Sequence, residues 1–403
     1  MRRLRSAKPD AMSREHLEAI WRAGVEACLP ARVVPPHLPE PPPGRTLLLA
    51  LGKAAIPMAA AVEARWPGPL AGLAVAPRGS PGALRRIEVI PSEHPVPSSG
   101  SVAAARRLLA LAGAASADDL VLVLLSGGAS SLACLPGEGL ALREKAGLTE
   151  ALLRSGATVR EINCVRRHLS AFKGGRLALA AAPARLVTLA ISDVVGDRPE
   201  DIGSGPTAAD PSTQGEARSI LERHSIAAPE GGWSETPTRV PGDYRIVARG
   251  ADALAAAAAE AERLGYKARR LECEGEARDV GRAHAALALA AAPGTALISG
   301  GELTVTVRGA GIGGPNQEYA LAATLALAGR GGIRGLAADS DGLDGRSHAA
   351  GAFFEGGGDT SGARAALDAN DSTPWFERRG GLLVTGATGT NVNDLRIILA
   401  GPA

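Results

Sequence analysis

The sequence predicts an α/β protein of two domains, with a parallel sheet in the N-terminal part and a mixed sheet in a smaller C-terminal part. Three observations predict it. The unbroken apolar run at residues 120–125 and the largely apolar runs at 46–51 and 186–191 read as buried strands, as in a parallel sheet. Each run enters a polar, glycine-rich turn, and helical patterns follow. The length, 403 residues, exceeds what one hydrophobic core usually serves. Most of the remaining Pro and Gly before the second α/β segment lie in residues 227–242, which places the domain boundary near Pro241: residues 1–240, then 241–403.

Residues 13–29 carry a helical pattern, with Ser13 as N-cap and Leu17, Ile20, Trp21, Val25 and Leu29 on one face. A proline-rich linker spans 30–43. The strand at 46–51 ends in Gly52-Lys53-Ala54-Ala55 and leads into a helix, a unit that presents backbone donors to an anion. Short strands at 73–76 and 87–90 follow, the second running into a proline-rich loop where His94 is read as structural. A helix at 101–112 precedes the strand at 120–125 and its turn Ser126-Gly-Gly-Ala-Ser-Ser131. Gly127 and Gly128 let backbone approach an anion, and Ser126, Ser130 and Ser131 offer hydroxyls.

Residues 142–153 form an amphipathic helix. A second spans 158–172, with Thr158 as cap and Glu161 completing a capping box. It carries Asn163, Arg166, Arg167 and His168 and stops at Lys173-Gly174-Gly175. The strand at 186–191 opens a loop, 192–207, with four acids, three glycines and two prolines, a composition that marks an ordered functional loop. A helix at 216–224 closes the first segment. In the second, strands are expected at 244–248, 268–271, 295–299, 303–307 and 333–338, and helices at 252–264, 277–291, 316–327 and 359–367. Alternation at 303–307 reads as a half-exposed antiparallel edge. A last core strand is expected at 382–384, before the apolar segment 395–399.

Composition excludes several classes. Lys+Arg 44 against Asp+Glu 42 gives +2, and the aromatic content is 3%, so neither a basic footprint nor a base-stacking surface for nucleic acid is present. Four cysteines without CxxC spacing make neither a disulfide framework nor a zinc site, which fits reduced thiols and a cytoplasmic location. The basic N-terminus lacks an apolar h-region, and no apolar stretch is long enough to span a bilayer. Lysine is scarce: Lys8, Lys53, Lys145, Lys173 and Lys267 are all there are.

Six polar turns follow apolar runs, at Gly52-Lys53, 126–131, 192–207, 300–302, 339–342 and 385–391. Together they supply backbone donors, lysines and carboxylates, the inventory of phosphoryl transfer, in which donors and Lys hold phosphates and acids hold Mg²⁺. No GxxxxGK[ST] or GxSxG occurs, and no GxGxxG opens the first strand–helix unit, the glycines of 309–314 not following a buried strand, which argues against a P-loop, a serine hydrolase and a nicotinamide site. Lys53, Asp193, Asp197, Glu302, Glu318 and Asp341 are candidates by position just past strands or in glycine-rich turns. Lys173 serves either an anion or a helix dipole, and Arg166 either a ligand or a solvated face.

The segments Leu125-Ser-Gly-Gly-Ala-Ser-Ser131, Glu161-Ile-Asn-Cys-Val-Arg-Arg-His-Leu169, Lys173-Gly-Gly-Arg176, Ser192-Asp-Val-Val-Gly-Asp197 and Gly203-Ser-Gly-Pro-Thr207 resemble the type-2 glycerate kinase family. Ser299-Gly-Gly-Glu302, Gly313-Gly-Pro-Asn-Gln-Glu318, Asp339-Ser-Asp-Gly342 and Thr388-Gly-Thr-Asn-Val-Asn-Asp394 resemble its C-terminal MOFRL domain. The resemblance covers nearly the whole chain, in order. It implies a Rossmann-like N-terminal domain, a MOFRL-like C-terminal one, and a site in the cleft between them. It implies ATP-dependent phosphorylation of D-glycerate at the 2-hydroxyl, with Mg²⁺, by a monomer or homodimer. Lys53 would hold the transferred phosphoryl group, and Asp193 and Asp197 would organise Mg²⁺ or the substrate hydroxyl. Arg166, Lys173, Gly205, Thr207, Glu302, Asn316, Glu318, Asp341, Thr388 and Asn391 join the serine–glycine turn as binding candidates. One departure is Pro315, where the family pattern often has arginine; Arg166, Arg198 or Arg308 are the substitutes at hand. Alternative readings are a hydroxypyruvate reductase and a non-catalytic sugar-acid or nucleotide binder.

Overall fold

The computed structural model describes residues 9–401. The chain divides into two compact units, residues 30–248 and residues 9–29 with 249–401.

The first unit is built on six parallel strands: β1 (Thr46–Leu51), β2 (Leu70–Pro77), β3 (Ile87–Ser92), β4 (Leu120–Leu125), β5 (Arg185–Ile191) and β6 (Asp243–Ala248). They lie in the order β3-β2-β1-β4-β5-β6. Every residue of β1 and β4 is buried, which is why β4 is an unbroken apolar run and β1 is apolar after Thr46. Helices cover the faces, and Leu47, Leu49, Val121, Val123, Leu108 and Leu177 join one core. Leu51 pairs with Leu125, so Gly52 and Ser126 leave the sheet side by side. The strand order reverses direction between β1 and β4, and in open α/β sheets ligands bind at that switch point, beyond the carboxyl ends of the strands.

The capping box forms as expected. Glu161 Oε2 accepts from the Thr158 amide at 2.8 Å, and Thr158 Oγ1 accepts from the Glu161 amide at 3.3 Å. The helix ends at His168, short of the expected 172. Ser170 explains the early stop: its Oγ accepts from the amides of Phe172 and Lys173, both at 3.1 Å, giving the backbone an alternative to another helical turn.

The second unit holds a mixed sheet of β7 (Lys267–Arg270), β8 (Thr295–Gly300), β9 (Ile333–Asp339), β10 (Gly351–Glu355), β11 (Leu382–Leu383) and β12 (Asp394–Ala400). The order is β11-β10-β9-β12-β8-β7; β7 and β8 are parallel and the other pairs antiparallel. Four expectations change here. The 244–248 strand is β6 of the first sheet, hydrogen-bonded to β5, so the break falls after Ala248 rather than near Pro241. The N-terminal helix, Pro9–Ala27, packs on the helix Gly250–Arg263 and on β12, so it belongs with the second unit; Ser13 lies inside it and is no cap. Residues 303–307 are not a strand. The Glu276 carboxylate takes the Thr306 amide at 2.7 Å and the Thr304 hydroxyl at 3.2 Å, acting where a neighbouring strand would. Residues 382–383 are a two-residue edge, and β10, unforeseen, stands between them and the core strand β9. Among the described residues no helix is long and apolar enough to cross a membrane.

Candidate active site

The β1 and β4 turns are stitched together. The Lys53 amide donates to the Gly127 carbonyl at 2.8 Å, and the Ala54 amide to Ser126 Oγ at 3.0 Å. This fixes Lys53, half-buried, against the serine–glycine turn. Gly128 has φ +81°, and a Cβ there would stand 3.0 Å from the His94 ring and 3.2 Å from Lys53 Cγ. Its hydrogen side chain thus lets Lys53 and His94 approach from two directions. His94, read from the sequence as structural, is exposed at this mouth. The signal for it was its position in a polar loop just beyond the carboxyl end of β3.

The three serines act differently from expectation. Ser126 is fully buried and accepts from Ala54, Ser131 Oγ donates to the Gly128 carbonyl at 3.1 Å, and Ser130 Oγ bonds Ser204 Oγ at 2.8 Å. Their hydroxyls shape the turn. The amides of Gly128, Ala129 and Ser130 have no acceptor among the described residues, so the turn presents backbone N–H donors.

Gly52 makes the stitching feasible. Its φ is +131°, and a Cβ would lie 2.5 Å from the Ser126 carbonyl oxygen. Gly52→Ala should therefore push the turns apart, lose about 1–3 kcal/mol of stability and weaken anion binding more than tenfold. Denaturant titration together with the KM of the anionic substrates measures both.

The loop after β5 is ordered by a buried network. Ser204 Oγ donates to Asn163 Oδ1 at 3.0 Å, Asn163 Nδ2 to Asp201 at 3.3 Å, and Arg167 reaches Asp201 at 3.1 Å and Asp210 at 2.7 Å. Burial works to raise Asp210, but the Arg167 charge and the Ser212 donors outweigh it, so its carboxyl sits below the usual range. Gly205 (φ +58°) accepts from the Gly175 amide at 2.7 Å, and Thr207 Oγ1 accepts from Thr188 at 2.9 Å; both bonds hold the loop. Lys173 is 1% exposed and donates to the carbonyls of Ser130 (2.7 Å) and Ala133 (3.2 Å), bracing the turn from behind. Arg166 is half-buried near it. Asp193 and Asp197 stand half-buried beyond the carboxyl end of β5. Among the described residues no group of three or more His, Cys, Asp or Glu is arranged as a metal cage. Mg²⁺ is commonly held by one or two carboxylates with the rest of its shell from phosphates and water, and a pair of oxygen donors at a strand end fits that pattern.

The candidates of the second unit form their own polar centre, at the start of β12 and the helix Pro315–Ala326. Asp344 accepts from the amides of Asn316 (3.0 Å) and Gln317 (2.9 Å). Burial, and then the charge of Asp394, push Asp344 up to about 7. Asn316 donates to Asp344 and, at 2.7 Å, to Asp394; its own Oδ1 is buried and unbonded among the described residues. Asp341 Oδ1 accepts from the Leu343 amide at 2.8 Å, Thr388 Oγ1 donates to the Ser340 carbonyl at 2.6 Å, and Asn391 Oδ1 accepts from the Asn393 amide at 3.4 Å. These bonds order the turns between β9 and β12. Glu318 is 3% exposed, paired with Arg278 at 2.9 Å and bonded by Asn370 at 2.8 Å. Glu302 is exposed. Pro315 opens its helix, where a missing N–H leaves nothing unsatisfied. Of the arginines that could replace the missing charge, Arg198 is engaged by Glu200, Arg166 lies behind the serine turn and Arg308 is exposed.

Comparison with known proteins gives the following. Residues 16–231 match the family described as "Domain of unknown function (DUF4147)", and residues 295–394 match the MOFRL family. A protein of Agrobacterium vitis named "Putative hydroxypyruvate reductase" is 44% identical, covering 99% of this chain and 97% of its own. D-glycerate 2-kinase of Thermotoga maritima is 39% identical over 96% of this chain and 98% of that one. The crystal structure of Thermotoga maritima glycerate kinase superposes with a TM-score of 0.86 at 38% identity, covering 97% of this chain and all of that one.

Proposed function

The chain belongs to the type-2 glycerate kinase family, with its C-terminal MOFRL domain, and from that premise we propose that it transfers the γ-phosphoryl group of ATP to the 2-hydroxyl of D-glycerate. The bond between the γ-phosphorus and the β,γ-bridging oxygen breaks, and one forms between that phosphorus and the C2 oxygen. The hydroxyl proton goes to a carboxylate, and ADP and 2-phosphoglycerate leave.

The observation that carries this reading is the stitched pair of turns at the switch point, where Lys53 is fixed beside a run of free amides. Phosphoryl transfer needs little covalent help; it needs the reactants aligned and the charge on the equatorial oxygens matched. Lys53 supplies that charge, and the amides of residues 128–130 orient an oxyanion beside it. Asp193 and Asp197 would hold Mg²⁺, and one of them takes the hydroxyl proton; the metal, when bound, would neutralise phosphate charge. His94, at the same mouth, is a further donor to the anion.

The name of the Agrobacterium vitis relative raises a reductase as a second reading. The sheet order is that of dinucleotide-binding folds, yet the first turn is Gly52-Lys53-Ala54-Ala55, without the glycines that let backbone approach a pyrophosphate. One assay separates the two. The purified protein with ATP, Mg²⁺ and D-glycerate should release ADP and form the 2-phosphate, identified by phosphorus NMR. NADH oxidation with hydroxypyruvate, and no ADP, would replace the kinase with the reductase.

A further inference from the structure

Behind the serine–glycine turn lies a charged group that the proposed chemistry leaves unused. Lys145, on the helix Leu142–Arg154, is 3% exposed. Its Nζ donates to the carbonyls of Arg166 at 2.9 Å and Leu169 at 2.5 Å, at the end of the neighbouring helix. Lys173 Nζ is bound by carbonyls alone, those of Ser130 and Ala133. Neither ammonium meets a carboxylate. The groups facing Lys145 are Lys173, Arg166, Arg176 and the Cys134 thiol; those facing Lys173 are Cys134 and Arg166. Arg176 is engaged by the carbonyls of Arg167 and Lys173 and by Ser234. The Arg166 guanidinium has neither an ion pair nor a hydrogen bond among the described residues. The buried acids Asp201 and Asp210 are taken by Arg167.

Three buried or half-buried cations without a counter-ion are costly to hold, because burial disfavours the charged form. We infer, resting on the reading of the serine–glycine turn as an oxyanion cradle, that Lys145, Lys173 and Arg166 form one cationic bed whose counter-charge is the reactant anion held in that turn, so that binding the anion draws protons onto the lysines. The bed and the cradle share Ser130: its amide has no acceptor among the described residues, and its carbonyl is held by Lys173. Burial brings Lys145 down to about 7 and Lys173 to about 8, so both are partly deprotonated near pH 7.5 in the free protein. An arriving oxyanion favours their charged forms, raises both values and takes up protons; by linkage its affinity falls as pH rises above about 7. A phosphate of the nucleotide and the glycerate carboxylate share this chemistry.

Calorimetric titration of the intact protein at pH 7.5, in two buffers of different ionisation enthalpy, tests the inference. D-glycerate is titrated alone, and Mg²⁺-free ADP alone, which tells the two sources apart. The expected result is uptake of roughly 0.5–1 proton per anion for the ligand that occupies the turn. Lys145→Arg, which keeps the charge but cannot lose a proton, should bind the anion and lose most of the uptake. Anion binding without proton uptake in the unaltered protein, which requires no variant to fold, would overturn the inference and leave the kinase reading standing on its product. Uptake unchanged in Lys145→Arg would overturn it equally. If neither anion binds, the cradle itself is refuted and the inference with it.

Discussion

Replacing Lys53 with methionine should lower kcat by about a thousandfold, ~4 kcal/mol of transition-state stabilisation, with a much smaller change in the KM for D-glycerate. The charge on a transferring phosphoryl group spreads over its oxygens, so a cation fixed beside it acts most strongly where kcat is set. The backbone carries this stitch, through the Lys53 amide and the Gly127 carbonyl. Methionine keeps that bond and most of the stem packed beside Gly128. The melting temperature should therefore move by only a few degrees. Single-turnover kinetics with ATP and Mg²⁺ separate chemistry from product release; a kcat within threefold of the unaltered enzyme would remove Lys53 from the reaction.

Arg167→Leu should do the opposite, damaging the fold first. Its guanidinium bridges Asp201 and Asp210, both nearly inaccessible, and its removal takes the close cation from two buried carboxylates, leaving Asp201 with Asn163 and a more distant Arg198 and Asp210 with Ser212 and Thr236. Breaking such an arrangement costs about 3–5 kcal/mol, a large part of a domain's stability. The loss is pH-dependent. The folded-state value of Asp210 is depressed, so its contribution is complete above the usual aspartate range and disappears as pH falls through the lowered value. Urea denaturation at pH 7 and at pH 3 should show the variant and the unaltered protein converging at the acid end. Equal stabilities at pH 7 would mean that water compensates the acids.

Much of the first sheet was legible because a strand buried on both faces writes itself as an apolar run, unbroken in β4 and nearly so in β1 and β5. The glycine-rich turns at their ends were equally plain, and Lys53 stood out because lysine is scarce. What was hidden depends on pairing across the chain. Nothing local says that Tyr244 hydrogen-bonds beside Thr188, or that Glu276 fills in for a strand next to Thr304. The roles of single polar residues were the least legible. Lys173 and Glu318 sit in motifs that look like ligand sites, yet one braces carbonyls and the other is locked to Arg278. A sequence gives the spacing of such groups and not the direction in which they point.

The N-terminal helix docks against segments that follow residue 248, and this has a consequence during synthesis. The helix Pro9–Ala27 is made first and completed last: its apolar face, with Leu17, Ile20, Trp21 and Val25, is buried in the finished protein by elements made after the whole first unit. At 5–20 residues per second, that face waits roughly 10–50 s for the helix Gly250–Arg263 and roughly 20–75 s for β12. The first unit can fold in that interval, since none of its strands needs the helix. The nascent chain is thus a folded domain trailing a sticky N-terminal tether, and it is there, rather than in the slow-pairing parallel sheet, that a holding chaperone would have the most to protect.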